Sequence, residues 1–241
     1  MKTSDFDYYL PKEFIAQNPI SPRDYSKLMV YDSLRNEVYH KRFFDVVGYL
    51  RAGDVLVLNR SRVIPARIRF NGKEVFLLKK IDDVHYCALV RPGKYFKVGR
   101  EFNIKNVFGK IVAIESDGTR IIKFKCSENL DKKLEELGEA PFPPYIIETS
   151  ANFNQYQTVY AREKGSVSSP TAGLHFTEEL LKKVKETGVK IEELILHIGL
   201  GTFKPVEAEN ITDHVMHEEE FIFSKESAVV LNSAKNEGRR I

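Results

Sequence analysis

The sequence predicts an α/β domain into which a small antiparallel β-barrel domain is inserted. Short strands at even spacing fill the middle of the chain, and mixed helix and strand patterns flank them on both sides. The turn dipeptides that separate the central strands are Asn71-Gly72, Pro92-Gly93 and Asp117-Gly118. We therefore expect residues 1–58 and 153–241 to form one discontinuous α/β domain, with residues 59–152 as the inserted barrel.

The elements follow in order. Residues 43–54 predict a short amphipathic helix that ends near Gly53. The central strands are predicted at residues 54–59, 63–70, 74–80, 85–90, 110–114 and 120–125. A short helix that Gly138 stops follows them, and a proline-stiffened connector comes next. Beyond the connector, Thr177 is a good N-cap for a helix that Gly188 ends, and residues 189–198 form a strand.

Composition excludes several classes of protein. The chain has 241 residues, of which 42% are hydrophobic and 29% charged, so it can bury a core. No stretch reaches the roughly 20 apolar residues of a membrane helix, and the N-terminus lacks the pattern of a signal peptide. Cys87 and Cys126 have no Cys or His at metal-ligand spacing, which excludes a zinc finger and a disulfide scaffold. We expect a cytoplasmic protein.

The net charge of +3 is too small to establish nucleic-acid binding, but the cations are clustered. A first group comprises Arg60, Arg62, Arg67, Arg69, Lys73, Lys79 and Lys80, and a second comprises Arg91, Lys94, Lys97 and Arg100. A phosphate backbone could bind such a surface, with steep salt dependence. An ordinary solvated face of a barrel explains the same clusters equally well.

The most unusual stretch is residues 165–177, GSVSSPTAGLHFT. Small residues allow close approach of a ligand to the backbone, although a tight connection between a strand and a helix needs them too. Glu178 and Glu179 occupy the first turn of the helix that follows, so an anion at its N-terminus would be repelled. We therefore expect a ligand over the loop itself. Its candidate residues are Ser168, Ser169, Thr171, Gly173 and His175.

A second candidate loop, residues 197–205, follows a strand at the edge where open α/β sheets bind ligands. It is not a dinucleotide fingerprint, because Lys204 stands where a third glycine belongs, and the chain has no P-loop. The candidate residues are His197, Gly199, Gly201 and Thr202.

Histidines mark a third stretch, residues 213–219. His214 and His217 could hold a metal if another ligand converged, but acid–base work alongside Glu218 suits them better. A fourth stretch, residues 58–67, is a polar turn with a proline and several arginines, as expected at the boundary between the two domains. It either contributes to a site or only connects the domains.

These stretches together resemble the S-adenosylmethionine:tRNA ribosyltransferase-isomerases of queuosine biosynthesis. The matching segments, in the family's order, are residues 6–30, 57–68, 156–177, 197–206 and 213–219. Three departures are visible. Arg60 replaces the usual Asp or Asn, Ser168 and Ser169 replace two alanines, and the segment around residues 71–73 is short. Family members also continue past the point where this sequence ends, so we expect a further sheet and helix segment to be missing from it.

The resemblance implies an unusual reaction. The ribosyl part of S-adenosylmethionine moves onto 7-aminomethyl-7-deazaguanine at the tRNA wobble position, adenine and methionine leave, and epoxyqueuosine forms. S-adenosylmethionine is then a consumed substrate, and no metal or redox cofactor is implied. His175, His197, His214, His217 and Glu218 fit the proton transfers. The residues expected to bind tRNA are Arg60, Arg62, Arg67, Arg69, Lys79 and Lys80. We expect the protein to act as a monomer.

Two other functions remain open on the residues alone. Non-catalytic RNA binding would explain the basic strands but would give neither small-residue loop a function. A metal-dependent hydrolase would use His214 and His217, and metal analysis of the purified protein separates it from the other two.

Overall fold

A computed structural model describes residues 1–203 and 205–241. Lys204, in the second candidate loop, lies outside the described residues. The strands are β1 (Lys27–Asp32), β2 (Glu37–Arg42), β3 (Val55–Asn59), β4 (Ser61–Val63), β5 (Arg67–Phe70), β6 (Lys73–Lys80), β7 (His85–Arg91), β8 (Glu101–Ile104), β9 (Val107–Ile114), β10 (Arg120–Lys125), β11 (Glu163–Ser166), β12 (Lys190–His197) and β13 (Glu220–Ile222). The α-helices are α1 (Leu130–Leu137), α2 (Glu178–Glu186) and α3 (Lys225–Asn236). The 3-10 helices are Thr3–Phe6, Lys12–Phe14, Arg23–Tyr25, Phe43–Tyr49, Phe153–Tyr156, Thr171–His175, Leu200–Phe203 and Ile211–Asp213. Within the described ranges, no helix is both long enough and apolar enough to span a bilayer.

The centre of the chain forms a six-stranded antiparallel sheet in the order β5-β6-β7-β10-β9-β8. Asn71 and Gly72 both have positive φ, as the predicted two-residue turn between β5 and β6 requires. The sheet curls until the rings of Phe70 on β5 and Phe102 on β8 stack with their centroids 5.6 Å apart. Antiparallel pairing is therefore as predicted.

The expected small antiparallel barrel is found in part, because the sheet is an open, curled half-barrel. Among the described residues β5 and β8 share no backbone pairing, and each is only four residues long. Aromatic side chains fill the gap between these edges instead of a ladder of hydrogen bonds. The predicted strand 63–70 is also split into β4 and β5. Pro65 lies at the break, where its missing N–H group cannot support a ladder.

The half-barrel core is aromatic and includes one residue from the candidate loop. Phe96, Phe102 and Phe124 lie within it, and the side chain of Val167 is fully buried in the same cluster. Val167 thereby anchors the 165–177 loop against the sheet, since withdrawing it would open a cavity in a packed core.

The other elements form small mixed sheets. β12 lies between β3, which is parallel to it, and the antiparallel β13, while β4 pairs in parallel with β11. The predicted helix at Thr177 is confirmed as α2, with the Thr177 hydroxyl accepting a hydrogen bond from the Leu180 amide at 3.1 Å. Gly188, with φ +84°, ends it as predicted. A complete α/β domain and the boundaries at residues 58 and 153 stay predictions.

The segment predicted as an amphipathic helix up to Gly53 is a 3-10 helix that ends at Tyr49. Val46, Val47 and Gly48 are weak α-helix formers, which favours a short and tighter helix. Phe43 at its start is buried against α2, in a cluster with Phe176 and Val184. This cluster fixes the position of the 3-10 helix Thr171–His175 that precedes α2.

Candidate active site

Two adjoining cavities border the 165–177 loop. The first has a volume of about 680 Å³ and is lined by Thr171 and His175 together with the N-terminal segment 14–27. The second, of about 340 Å³, is lined by Ser168, Ser169 and Thr202 among others. Thr171, Pro143 and Tyr145 line both cavities. The structure therefore brings the two small-residue loops of the sequence analysis to one place.

Hydrogen bonds hold the loop against the end of β12. The Ser166 hydroxyl donates to the Ser168 carbonyl at 2.6 Å and accepts from the Ile198 amide at 3.0 Å. The Ser168 hydroxyl lies 3.2 Å from that of Tyr156. By contrast, the buried Ser169 hydroxyl has no hydrogen-bond partner in the described part of the chain. A buried polar group without a partner is costly, so Ser169 is suited to a polar ligand in the second cavity.

Gly173 supports the site through its size. A Cβ at this position would lie 2.0 Å from the Tyr160 hydroxyl oxygen, so only glycine fits beneath that ring. Burial raises the pKa of Tyr160 to about 12, and the phenol is therefore uncharged near neutral pH. Gly173 is itself buried. Its contribution is to the shape of the loop rather than to direct ligand contact.

His175 faces the first cavity and is half-buried. Its ring packs against Phe43 with the centroids 5.2 Å apart. Burial, followed by repulsion from Arg23, lowers the pKa of His175 below its usual value of 6.5. The imidazole is therefore neutral at physiological pH and able to accept a proton.

This lowered pKa predicts a specific pH dependence of stability. The unfolded chain takes up a proton on His175 near pH 6.5, whereas the folded chain resists it. Acidification below about pH 6.5 should therefore lower the melting temperature, and the fall should be smaller in His175→Gln. Thermal unfolding between about pH 7.5 and pH 5 measures this difference. Parallel curves for the two proteins would contradict the assigned environment of His175.

The second loop is fastened by a carboxylate that sequence reasoning missed. One oxygen of Glu219 accepts a hydrogen bond from the Gly199 amide at 2.9 Å and lies 3.2 Å from Nε2 of His217. A Cβ on Gly201 would come within 2.0 Å of Nδ1 of His217. Glu219 therefore links the loop to His217. Glu218, Glu219 and Glu220 are consecutive in the sequence, and only the folded geometry distinguishes Glu219 from the other two.

The remaining candidates are less closely joined. Nδ1 of His197 is buried with no hydrogen-bond partner among residues 1–203 and 205–241, and a Cβ on Gly165 would lie 2.7 Å from the His197 ring. His214 follows the 3-10 helix Ile211–Asp213, and Glu218 is exposed. The described residues contain no group of three or more His, Cys, Asp or Glu placed to hold a metal.

Most of the cations predicted to bind tRNA are already ion-paired. The pairs are Arg60 with Glu163 at 3.7 Å and Glu193 at 3.6 Å, Arg67 with Glu74 at 3.7 Å, Arg69 with Glu74 at 3.3 Å and Glu139 at 3.0 Å, Lys79 with Glu220 at 3.0 Å, and Lys80 with Asp131 at 2.7 Å. The Lys79–Glu220 pair is exposed, and exposed pairs contribute little stability, so a phosphate could displace that carboxylate. The pairs of Arg60 and Arg67 are partly buried. The role of these strands stays a prediction.

Comparisons with known proteins agree with the resemblance. The sequence profile of the family described as queuosine biosynthesis protein matches residues 3–241. Two relatives from strains of Clostridium kluyveri, both named S-adenosylmethionine:tRNA ribosyltransferase-isomerase, are 47% identical over 100% of this chain and 73% of their own length. A crystal structure of an S-adenosylmethionine tRNA ribosyltransferase from Thermotoga maritima is 33% identical, with a TM-score of 0.44, over 99% of this chain and 68% of that one.

The family profile covers nearly every residue, and the matched segments include both loops that border the two cavities. The identity to the Clostridium kluyveri relatives extends over the whole chain rather than over a single motif. On these grounds the chain belongs to the queuosine biosynthesis protein family.

Proposed function

We propose that the chain is an S-adenosylmethionine:tRNA ribosyltransferase-isomerase. It transfers the ribosyl part of S-adenosylmethionine onto 7-aminomethyl-7-deazaguanine at the tRNA wobble position and gives epoxyqueuosine. The observation that carries this proposal is the 47% identity over the whole chain to relatives of that name. The two adjoining cavities support it, because a reaction between two substrates needs two neighbouring binding sites.

The chemistry makes distinct demands on the site. The sulfonium acidifies the protons on the neighbouring carbon, a base removes one, the uncharged amine forms the new bond, and adenine and methionine depart. His175 suits the base, because its lowered pKa keeps the ring neutral. His197, His214, His217 and Glu218 are candidates for the other proton transfers, and Glu219 is the residue that positions His217.

Binding of the sulfonium substrate is assigned to the two small-residue loops around the second cavity. The proposed contacts are Ser168, Ser169, Thr171, Gly199, Gly201 and Thr202, with Gly173 shaping the first loop. No metal or redox cofactor takes part in this proposal, since proton transfers and the sulfonium leaving group are sufficient for the reaction. We further propose that the protein works in the cytoplasm, where tRNA is modified, and that it acts as a monomer.

The products distinguish this reaction from the commoner use of the same substrate. Incubation with S-adenosylmethionine and tRNA bearing the deazaguanine precursor should release adenine and methionine in equal amounts, measured by liquid chromatography. The same incubation without tRNA is the control. Release of S-adenosylhomocysteine would mean methyl transfer and would contradict the proposed function.

The basic strands give a second test. Reversing Arg67 and Arg69 to Glu should weaken binding of cognate and non-cognate tRNA about equally, because phosphates carry no sequence information. Each lost contact should reduce the log–log salt slope by roughly 0.7–0.9, while the affinity for S-adenosylmethionine stays the same. Filter binding over a salt series measures the slope. An unaltered slope would show that these arginines serve only their ion pairs with Glu74 and Glu139.

A further inference from the structure

The part of the first cavity's lining that the structure describes is basic and contains no carboxylate. Arg23, Lys27 and Arg42 line it, and none of its other lining residues is an aspartate or a glutamate. His175, the remaining titratable base in the lining, is held neutral by its environment. The cavity therefore carries three positive charges without a compensating charge in its own wall, which favours an anionic ligand.

These three cations also differ from those of the basic strands. Nη1 of Arg23 donates to the Gln157 carbonyl at 2.8 Å and Nη1 of Arg42 to the Tyr25 carbonyl at 3.0 Å. These hydrogen bonds orient the guanidinium groups, but a carbonyl acceptor does not neutralise their positive charge. Within residues 1–203 and 205–241, none of the three side chains lies within 4.0 Å of a carboxylate oxygen.

Lys27 and Arg42 are brought together by the β1–β2 hairpin. Their Cα atoms are direct partners at its open end, so two like charges stand opposite each other. Such a pair destabilises a hairpin unless an anion lies between or beside it. Asp45, close to Arg42 along the chain, accepts a hydrogen bond from the Arg42 amide at 3.0 Å. Asp45 does not line this cavity, but it lines a neighbouring one to which Lys27 and Arg42 also belong.

Aromatic rings complete the wall. Phe14, Phe142, Tyr145 and Tyr156 all line the cavity, and the rings of Phe142 and Tyr156 lie with their centroids 5.0 Å apart. Single-stranded nucleic acid is typically held by aromatic faces that stack on bases and by cations that contact phosphates. A volume of about 680 Å³ lies in the range that takes a small-molecule ligand or a single nucleotide.

We propose that this cavity receives the unstacked target nucleotide of the RNA substrate, with Lys27 and Arg42 contacting an adjacent phosphate. The proposal rests on the proposed function and assigns one cavity to each substrate. A sulfonium would be repelled by three cations, whereas the described residues in the wall of the second cavity carry no charged side chain. Thr171 lies in both walls, so ligands in the two cavities would meet beside the loop that carries His175.

The test measures binding of each substrate separately. The variant is Lys27→Gln/Arg42→Gln, and the matched control is Lys182→Gln/Lys185→Gln on the exposed face of α2. The RNA probe is a hairpin with the sequence of the anticodon arm, titrated over a salt series, and S-adenosylmethionine is titrated alone by calorimetry. Neither measurement requires turnover.

We expect the variant to bind RNA about tenfold more weakly for each lost charged contact. Its salt slope should fall by about 0.7 for each lost contact to a single-stranded phosphate. Affinity for S-adenosylmethionine should be unchanged, and the control should match the wild type in both assays. The single Lys27→Gln variant serves if the double variant unfolds, and Arg42→Lys should retain most of the salt slope.

Two outcomes would overturn the proposal. RNA affinity and salt slope equal to those of the wild type would mean that the cations do not contact RNA. A selective loss of S-adenosylmethionine affinity would mean that they bind the carboxylate of that substrate instead. Failure of the wild-type protein to release adenine would contradict the proposed function but would leave the RNA-binding result standing, so the two failures are distinguishable.

Discussion

Replacing His175 with alanine is expected to lower turnover by about 10²–10⁴-fold, as for the loss of a general acid or base, while leaving the fold intact. The half-buried ring faces the larger cavity, and its lowered pKa keeps it ready to accept a proton. Steady-state release of adenine at saturating substrates measures the effect. His85→Ala is the matched control, because His85 lies on the half-barrel at β7 and pairs with Asp82.

The alternative for His175 is a packing role against Phe43. In that case the alanine variant would keep its turnover number and lose melting temperature. A pH–rate profile separates the two further, because removal of a catalytic base should abolish the acidic limb of the profile that His175 produces. A retained limb would assign that proton transfer to another group.

Gly201→Ala is expected to lower turnover by about 10²-fold. The added methyl group would lie within 2.1 Å of three atoms of the His217 ring, so the ring or the loop must move. A displacement of roughly 1 Å of a catalytic group can cost a rate factor of this size. The melting temperature should change little, because the His217 side chain is partly exposed and can swing outward.

Gly48→Ala is the control for this substitution. A Cβ on Gly48 meets no atom within 4 Å, so the same chemical change there should leave turnover as it is. Equal activity of Gly201→Ala and the wild type would remove His217 from the proposed active site. The Glu219–His217 contact would then serve only to hold the loop.

Local features of the fold could be predicted from the sequence because they depend on neighbouring residues. The Asn71-Gly72 turn follows from residues that tolerate positive φ, and the start of α2 follows from the Thr177 cap. The open half-barrel could not be predicted in the same way. Closure depends on whether β5 and β8 meet, and that is set by packing of Phe70 and Phe102 across a long sequence separation.

The candidate site was predictable to a similar extent. Small residues and histidines mark the loops themselves, so Ser169 and His175 could be selected without coordinates. The basic wall of the first cavity could not, because Arg23, Lys27 and Arg42 are scattered in the sequence and converge only after folding. The clustered arginines were more prominent in the sequence, yet most of them face carboxylates in the structure.

The central claim is that the ribosyl part of S-adenosylmethionine ends in the tRNA. The most direct measurement uses S-adenosylmethionine labelled with ¹³C only in its ribose, tRNA bearing the deazaguanine precursor, and mass spectrometry of the nucleosides after digestion. Our account predicts that the modified nucleoside carries every ribose label, and that the released adenine and methionine carry none. An unlabelled nucleoside, or label found only in S-adenosylhomocysteine, would contradict it.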